Sequence, residues 1–252
     1  MKKSIVLVLV VLALLIGKYF WNPVSRPYEA DKLLFVGTNA EYPPFSYREG
    51  DSIVGFDIDI AYEIASRLGK EVRLKDMPFD ALLPQLQLGK IHLVAAGMTP
   101  TPERAMRVNF TKPYLASDPL LIITLAHHAP ITTLQELAGN TVVVNEGYTA
   151  DAYLSTFSTI KLIRLPSPTE AFLSLQAGRA DAFVAAGSSV QSFFAHYGKD
   201  NYRIHPLDDV HDSYALALSK EYPELLDQVQ QALDAMQADG TLDNLKKKWN
   251  IA

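Results

Sequence analysis

Cysteine is missing from all 252 positions, and that gap removes disulfides, thiolate metal sites and a cysteine nucleophile. It also removes a lipidated N-terminal cysteine as a means of holding the chain on a membrane. The six histidines, at 92, 127, 128, 196, 205 and 211, show no metal-ligand spacing on one helix face, so neither a zinc site nor any cofactor is expected. No Gly-x-Ser-x-Gly elbow occurs, which argues against a serine hydrolase of that type. Basic stripes interleaved with aromatics are absent as well. The net charge is −5, with +3 on residues 1–30 and −8 on the remainder. An acidic body disfavours phosphate backbones, so nucleic acid is excluded as a partner.

What is present begins with a sharp shift of composition. Lys2-Lys3 precede an unbroken apolar run from Ile5 to Ile16, the charged and hydrophobic regions of an export signal. Continued through Tyr19, Phe20 and Trp21, the segment 5–21 is also compatible with a retained membrane tether carrying interfacial aromatics. Residues 1–30 are thus expected to be a signal peptide or anchor followed by a linker with Pro23 and Pro27.

From Leu33 onward short apolar runs alternate with amphipathic stretches, the pattern of an α/β protein with mostly parallel strands. Strands are expected at 33–38, 91–96, 119–124, 141–145, 161–165, 182–186 and 214–219. Helices are expected at 58–68, capped by Asp57, at 81–88, capped by Asp80, and at 150–157, 169–177, 223–238 and 242–249. An internal echo joins Leu86-Gln87-Leu88-Gly89-Lys90 with its strand ending at Gly97 to Leu175-Gln176-Ala177-Gly178-Arg179 with its strand ending at Gly187. Two similarly built lobes would produce it. Ligands of open α/β sheets bind beyond the carboxyl ends of strands, so both echo ends are candidate cleft positions.

The segment Gly97-Met98-Thr99-Pro100-Thr101-Pro102-Glu103-Arg104 carries the most chemistry. Thr101 suits an N-cap, Pro102 the first helical position, and Glu103 the positive end of the dipole. Arg104 then falls in the first turn, where its fork could hold a carboxylate through two parallel hydrogen bonds. An exposed arginine in an ordinary helix cap fits the spacing equally well.

Gly37-Thr38-Asn39-Ala40-Glu41-Tyr42-Pro43-Pro44-Phe45, Gly55-Phe56-Asp57-Ile58-Asp59-Ile60-Ala61, Phe79-Asp80-Ala81-Leu82-Leu83-Pro84, Met98-Thr99 to Glu103-Arg104, Phe110-Thr111-Lys112-Pro113-Tyr114, Gly147-Tyr148-Thr149, Gly178-Arg179-Ala180-Asp181-Ala182 and Asp239-Gly240-Thr241 follow one another in order. Over residues 33–250 this series resembles the polar-amino-acid periplasmic solute-binding proteins of ABC transporters. The resemblance implies the type II periplasmic binding fold, two α/β lobes joined by two crossing strands that close as a hinge. It divides the chain into lobe one at 31–118 and 208–252 and lobe two at 119–207. It implies an extracytoplasmic location, an amino-acid ligand, an ABC permease as partner and no catalysis.

Carried over by position, Arg104 holds the ligand carboxylate with the hydroxyl of Thr99 and the backbone at Gly97, Met98 is a further ligand-binding candidate, and Thr149 adds a donor from lobe two. Tyr42 and Phe79 sandwich the aliphatic part, and Asn39 sits at the side-chain end. Asn145 faces the cleft from a strand end. One position departs from the pattern: Ala186 stands where the family usually has an aspartate for the ligand ammonium. Glu146, Glu41 or Asp212, or carbonyls with Ser188, are the candidate replacements; otherwise the ligand lacks that ammonium. The Asn39, Glu41 and Glu146 group favours a basic or polar amino acid, arginine first. An exported cyclohexadienyl dehydratase on the same fold, and an amino-acid-sensing receptor module, are the competing functional classes.

Overall fold

The computed structural model describes residues 32–251. The expected signal or anchor segment at 1–30 lies outside them; among the described residues no helix is long and apolar enough to cross a membrane.

Strand β1 (Leu33–Thr38) opens the described chain. A small antiparallel sheet follows, made of β2 (Glu41–Tyr42), β3 (Ser46–Glu49) and β4 (Ser52–Val54). Helix α1 (Phe56–Arg67) buries Phe56, Ile60, Ala61 and Ile64 along one stripe. It starts two residues earlier than an Asp57 cap requires: Gly55 is the N-cap, and Asp57 is a fully buried residue of the first turn. The Asp57 side chain is drawn inward by tertiary partners rather than outward to cap its own helix. After β5 (Glu71–Asp76) comes α2 (Phe79–Gln87), whose N-cap is Pro78 rather than Asp80. Strand β6 (Leu93–Met98) is buried at every position. Helix α3 (Pro102–Arg107) leads through β7 (Asn109–Phe110) to the long strand β8 (Leu115–Leu125).

The second lobe contains β9 (Thr141–Asn145), α4 (Thr149–Leu154), β10 (Lys161–Leu165), α5 (Pro168–Gln176), β11 (Ala182–Ala186) and α6 (Gly187–Tyr197). Gly187, expected from the echo as a strand end, forms with Ser188 and Ser189 the first turn of α6. The chain returns along β12 (Tyr202–Leu218) and closes with α7 (Pro223–Ala238) and α8 (Thr241–Lys248). Lys248 Nζ and Trp249 Nε1 each reach Asp59 Oδ2 at 2.7 Å, fastening the tail to α1.

The main sheet runs β10, β9, β11, β8, β12, β6, β1, β5 from edge to edge. Its two flanks are parallel α/β sheets, and β8 and β12 cross between them as an antiparallel pair. In lobe two the run Val142-Val143-Val144 shows why a continuous apolar strand is required. Val142 and Val144 pack with Leu154 and Val184 on one face, and Val143 packs with Phe172 and Phe183 on the other. Helices cover both faces, and the carboxyl ends of β1, β6, β9 and β11 are left to build a site.

Candidate functional site

Arg104 is positioned by its own local sequence. Thr101 Oγ1 accepts the Arg104 amide at 3.2 Å and Pro102 occupies the first turn, as the capping pattern predicts. The side chain then folds back rather than into solvent, and the residue is 9% exposed. Nη1 donates to the Thr99 carbonyl at 2.6 Å, and Nη2 donates across the lobes to the Gly147 carbonyl at 2.8 Å. The guanidinium also stands 5.4 Å from the centre of the Phe79 ring. Burial lowers its pKa, Asp212 and Glu103 oppose that, and a guanidinium stays charged throughout. The cap alternative of an exposed arginine is therefore excluded.

Gly97 adopts φ +56, and a Cβ there would lie 2.6 Å from the Tyr42 ring. A glycine is required by both the backbone and the neighbour. Its N–H donates to Asp57 Oδ2 at 2.5 Å, and Asp57 Oδ1 accepts from the Tyr114 hydroxyl at 2.7 Å. That amide is therefore committed to Asp57. Burial raises the Asp57 carboxyl to about 7, against the lowering effect of these two hydrogen bonds. Met98 packs in the core of lobe one with Leu82 and Val94.

Tyr42 is only 3% exposed. Its hydroxyl lies 3.0 Å from that of Tyr214. The slot between Tyr42 and Phe79 holds the ring of Tyr148, 5.3 Å from the first centroid and 4.5 Å from the second. Tyr148 also donates its hydroxyl to Asn39 Oδ1 at 2.9 Å. One lobe-two loop thus meets four residues singled out in lobe one: the Gly147 carbonyl caps Arg104, and Tyr148 meets Tyr42, Phe79 and Asn39.

Beside this contact lies a central cavity of about 10 Å³ whose lining includes Tyr42, Asn145, Thr149, Ala186 and Asp212. That is room for about one water molecule and too little for an amino acid. Thr99 Oγ1 donates to Asp212 Oδ1 at 2.5 Å and accepts the Ser213 amide at 3.3 Å. Thr149 hydrogen-bonds to the same carboxyl. Asn145 donates to the Leu165 carbonyl at 3.2 Å. Asp118, opposite Asp212 in the β8–β12 ladder, accepts from the Tyr214 hydroxyl at 2.7 Å, the Ser188 amide at 3.1 Å and the Ser188 hydroxyl.

Asn39, Glu41, Phe79 and Glu146 meet instead at an outer pocket of about 290 Å³, together with Asp76 and Asp80. Asp76 is paired with Arg48 at 2.7 Å; among the described residues Glu41, Asp80 and Glu146 have no ion pair. The predicted residues therefore divide into a buried head around Arg104, Thr99 and Thr149 and an acidic mouth, with the aromatic slot between. Sequence reasoning did not single out Tyr148, Asp118 or Tyr214. The one available signal was a bulky aromatic in the turn after β9, next to Thr149.

Two lobes hinged on paired strands, with a buried cation and hydroxyls facing each other across the interface, define a two-lobed periplasmic binding protein. Residues 34–252 match the family model of the bacterial extracellular solute-binding proteins, family 3, and the chain belongs to that family. The Arginine-binding extracellular protein ArtP of Bacillus subtilis (strain 168) is 31% identical over 221 residues, covering 86% of each chain. A solved structure of an ancestral arginine-binding protein bound to arginine superposes with TM-score 0.81 at 35% identity, covering 86% of this chain and 98% of its own. An ancestral amino acid-binding protein described as a precursor of cyclohexadienyl dehydratase matches with TM-score 0.77 at 34% identity, covering 86% and 95%.

Proposed function

We propose that the chain captures a basic L-amino acid, arginine foremost, outside the cytoplasm and delivers it to an ABC permease, as a binding protein and not an enzyme. The observation that carries this reading is a buried guanidinium and an acidic mouth on either side of one aromatic slot. Arg104, with Thr99 and Thr149, takes the carboxylate; Tyr42 and Phe79 take the methylene chain; Glu41, Asp80, Glu146 and Asn39 receive the distal cation. A cation at the mouth relieves the repulsion among unpaired carboxylates. The arginine-binding relatives support the same ligand class. Lobe one is assigned to 31–118 and 208–252 and lobe two to 119–207, with β8 and β12 as the hinge that opens the 10 Å³ cavity.

Calorimetry and thermal-shift titration with the common amino acids and with prephenate test the proposal. Stabilisation by arginine, with weaker effects from neutral amino acids, is expected. Turnover of prephenate, or no response to any basic amino acid, overturns it.

A further inference from the structure

An α-amino acid carries a cation and an anion on one carbon, and a closed site that takes both has to offer an acceptor to the ammonium. At the carboxyl end of β11 stand Ala185, Ala186 and Gly187, none of which can supply one from a side chain. Of the described residues lining the central cavity, Asp212 alone carries a charge. The other acids nearby are otherwise placed. Glu41 and Glu146 are exposed at the mouth, and Asp118, which already accepts from the Ser188 amide, the Ser188 hydroxyl and the Tyr214 hydroxyl, does not line that cavity.

Asp212 is 6% exposed and its hydrogen bonds come from two hydroxyls, of Thr99 and Thr149. A carboxylate has about four acceptor positions, so capacity for another donor is left over. Its placement relative to the anion clamp is the decisive geometry. Thr99 accepts Arg104 Nη1 through its carbonyl at 2.6 Å and reaches Asp212 Oδ1 through its hydroxyl at 2.5 Å. A fixed cation and a fixed anion therefore stand one residue apart, matched to the two charges of a single α-carbon. We infer that Asp212, delivered by the second crossing strand, is the counter-charge for the ligand's α-ammonium. The assignment rests on the amino-acid reading and names a binding residue within it.

The hinge strands have taken over this corner of the site in a second way. Asp118 is the cross-strand partner of Asp212, and its Oδ1 lies 3.1 Å from where a Cβ on Gly187 would be. The space beside the end of β11 is thus already filled by an acid from β8. Burial raises the Asp212 carboxyl above the usual range, Asp118 adds to the rise, and Thr149, Thr99 and Arg104 offset part of it. An ionised Asp212 is held at a cost that an arriving ammonium removes.

The test is calorimetry with L-arginine and with 5-guanidinopentanoate, which is arginine without its α-amino group, on the wild-type protein and on Asp212→Asn. Wild type is expected to bind arginine about 100-fold more tightly than the analogue, the scale of a buried charge pair. Asp212→Asn should lose about 100-fold for arginine, hold the analogue within about threefold, and melt no lower than wild type. Equal loss for both ligands, or unchanged arginine affinity, overturns the inference while leaving the amino-acid reading in place. Equal binding of the two ligands by wild type overturns it whatever the variant does. Failure of wild type to bind any amino acid overturns both.

Discussion

Replacing Tyr148 with alanine removes the ring that stands between Tyr42 and Phe79 and the hydroxyl bonded to Asn39. The two aromatic contacts contribute about 0.5–1.5 kcal/mol each, and the hydrogen bond about 0.5–1.5 kcal/mol. Roughly 1.5–4.5 kcal/mol thus favours the arrangement in which the loop fills the slot. A ligand whose methylene chain takes that slot has to displace the ring, so its apparent affinity is lowered by the scarcity of the displaced state. If about half of the contacts are regained elsewhere, Tyr148→Ala should tighten arginine binding by about tenfold, since 1.4 kcal/mol is one decade. The gain should appear chiefly in the association rate, measured by stopped-flow fluorescence, because a competent state is more often available. The Tm of the protein without added arginine should fall at the same time, because the packing between the lobes is lost. Weaker or unchanged arginine affinity would refute the reasoning, and would mean that the ring closes over the ligand instead of competing with it.

Arg104→Ala should weaken arginine binding by two to three orders of magnitude, about 3–4 kcal/mol for a buried charge pair that loses one partner; unchanged calorimetric affinity would remove its role as clamp. Gly97→Ala places a methyl 2.6 Å from the Tyr42 ring at φ +56. A lower Tm, by at least the roughly 1 kcal/mol of the left-handed backbone, and weaker binding should follow, both read by a thermal melt with and without arginine. Asp57 titrates near 7 in the fold against an ordinary 3.8, so between those values the folded chain keeps a proton that the unfolded chain has released. Its stabilising contribution is complete below about pH 4 and is lost as the pH rises to about 7. The Tm of wild type relative to Asp57→Asn should therefore fall across that window and level off above it; a difference independent of pH would contradict the assignment.

Legibility from sequence followed the range of the interactions. The strand 33–38 and the Thr101 cap were readable because apolar runs and local capping hydrogen bonds are properties of neighbouring residues. Asp57 carried the local signature of a cap, yet its partners are Gly97 and Tyr114, far along the chain. Strand β5 went unread because Glu71, Arg73 and Lys75 alternate with its apolar residues, as suits the edge position it occupies. The ordered motifs pointed to Arg104, Thr99 and Thr149. That Tyr148 would sit between Tyr42 and Phe79 depends on two lobes meeting, and no spacing in one lobe encodes it.

The ribbon formed by β8 and β12 has its ladder interrupted twice, between Pro206 and His211 and between Asp212 and Tyr214. Such interruptions concentrate flexure, since missing rungs leave the least stiff stretch of an otherwise regular pair. Asp212 lies within that compliant stretch. Whatever pulls on its carboxylate acts directly on the element that bends, so gripping a molecule and swinging the jaws together become one mechanical event, with no message relayed through either core.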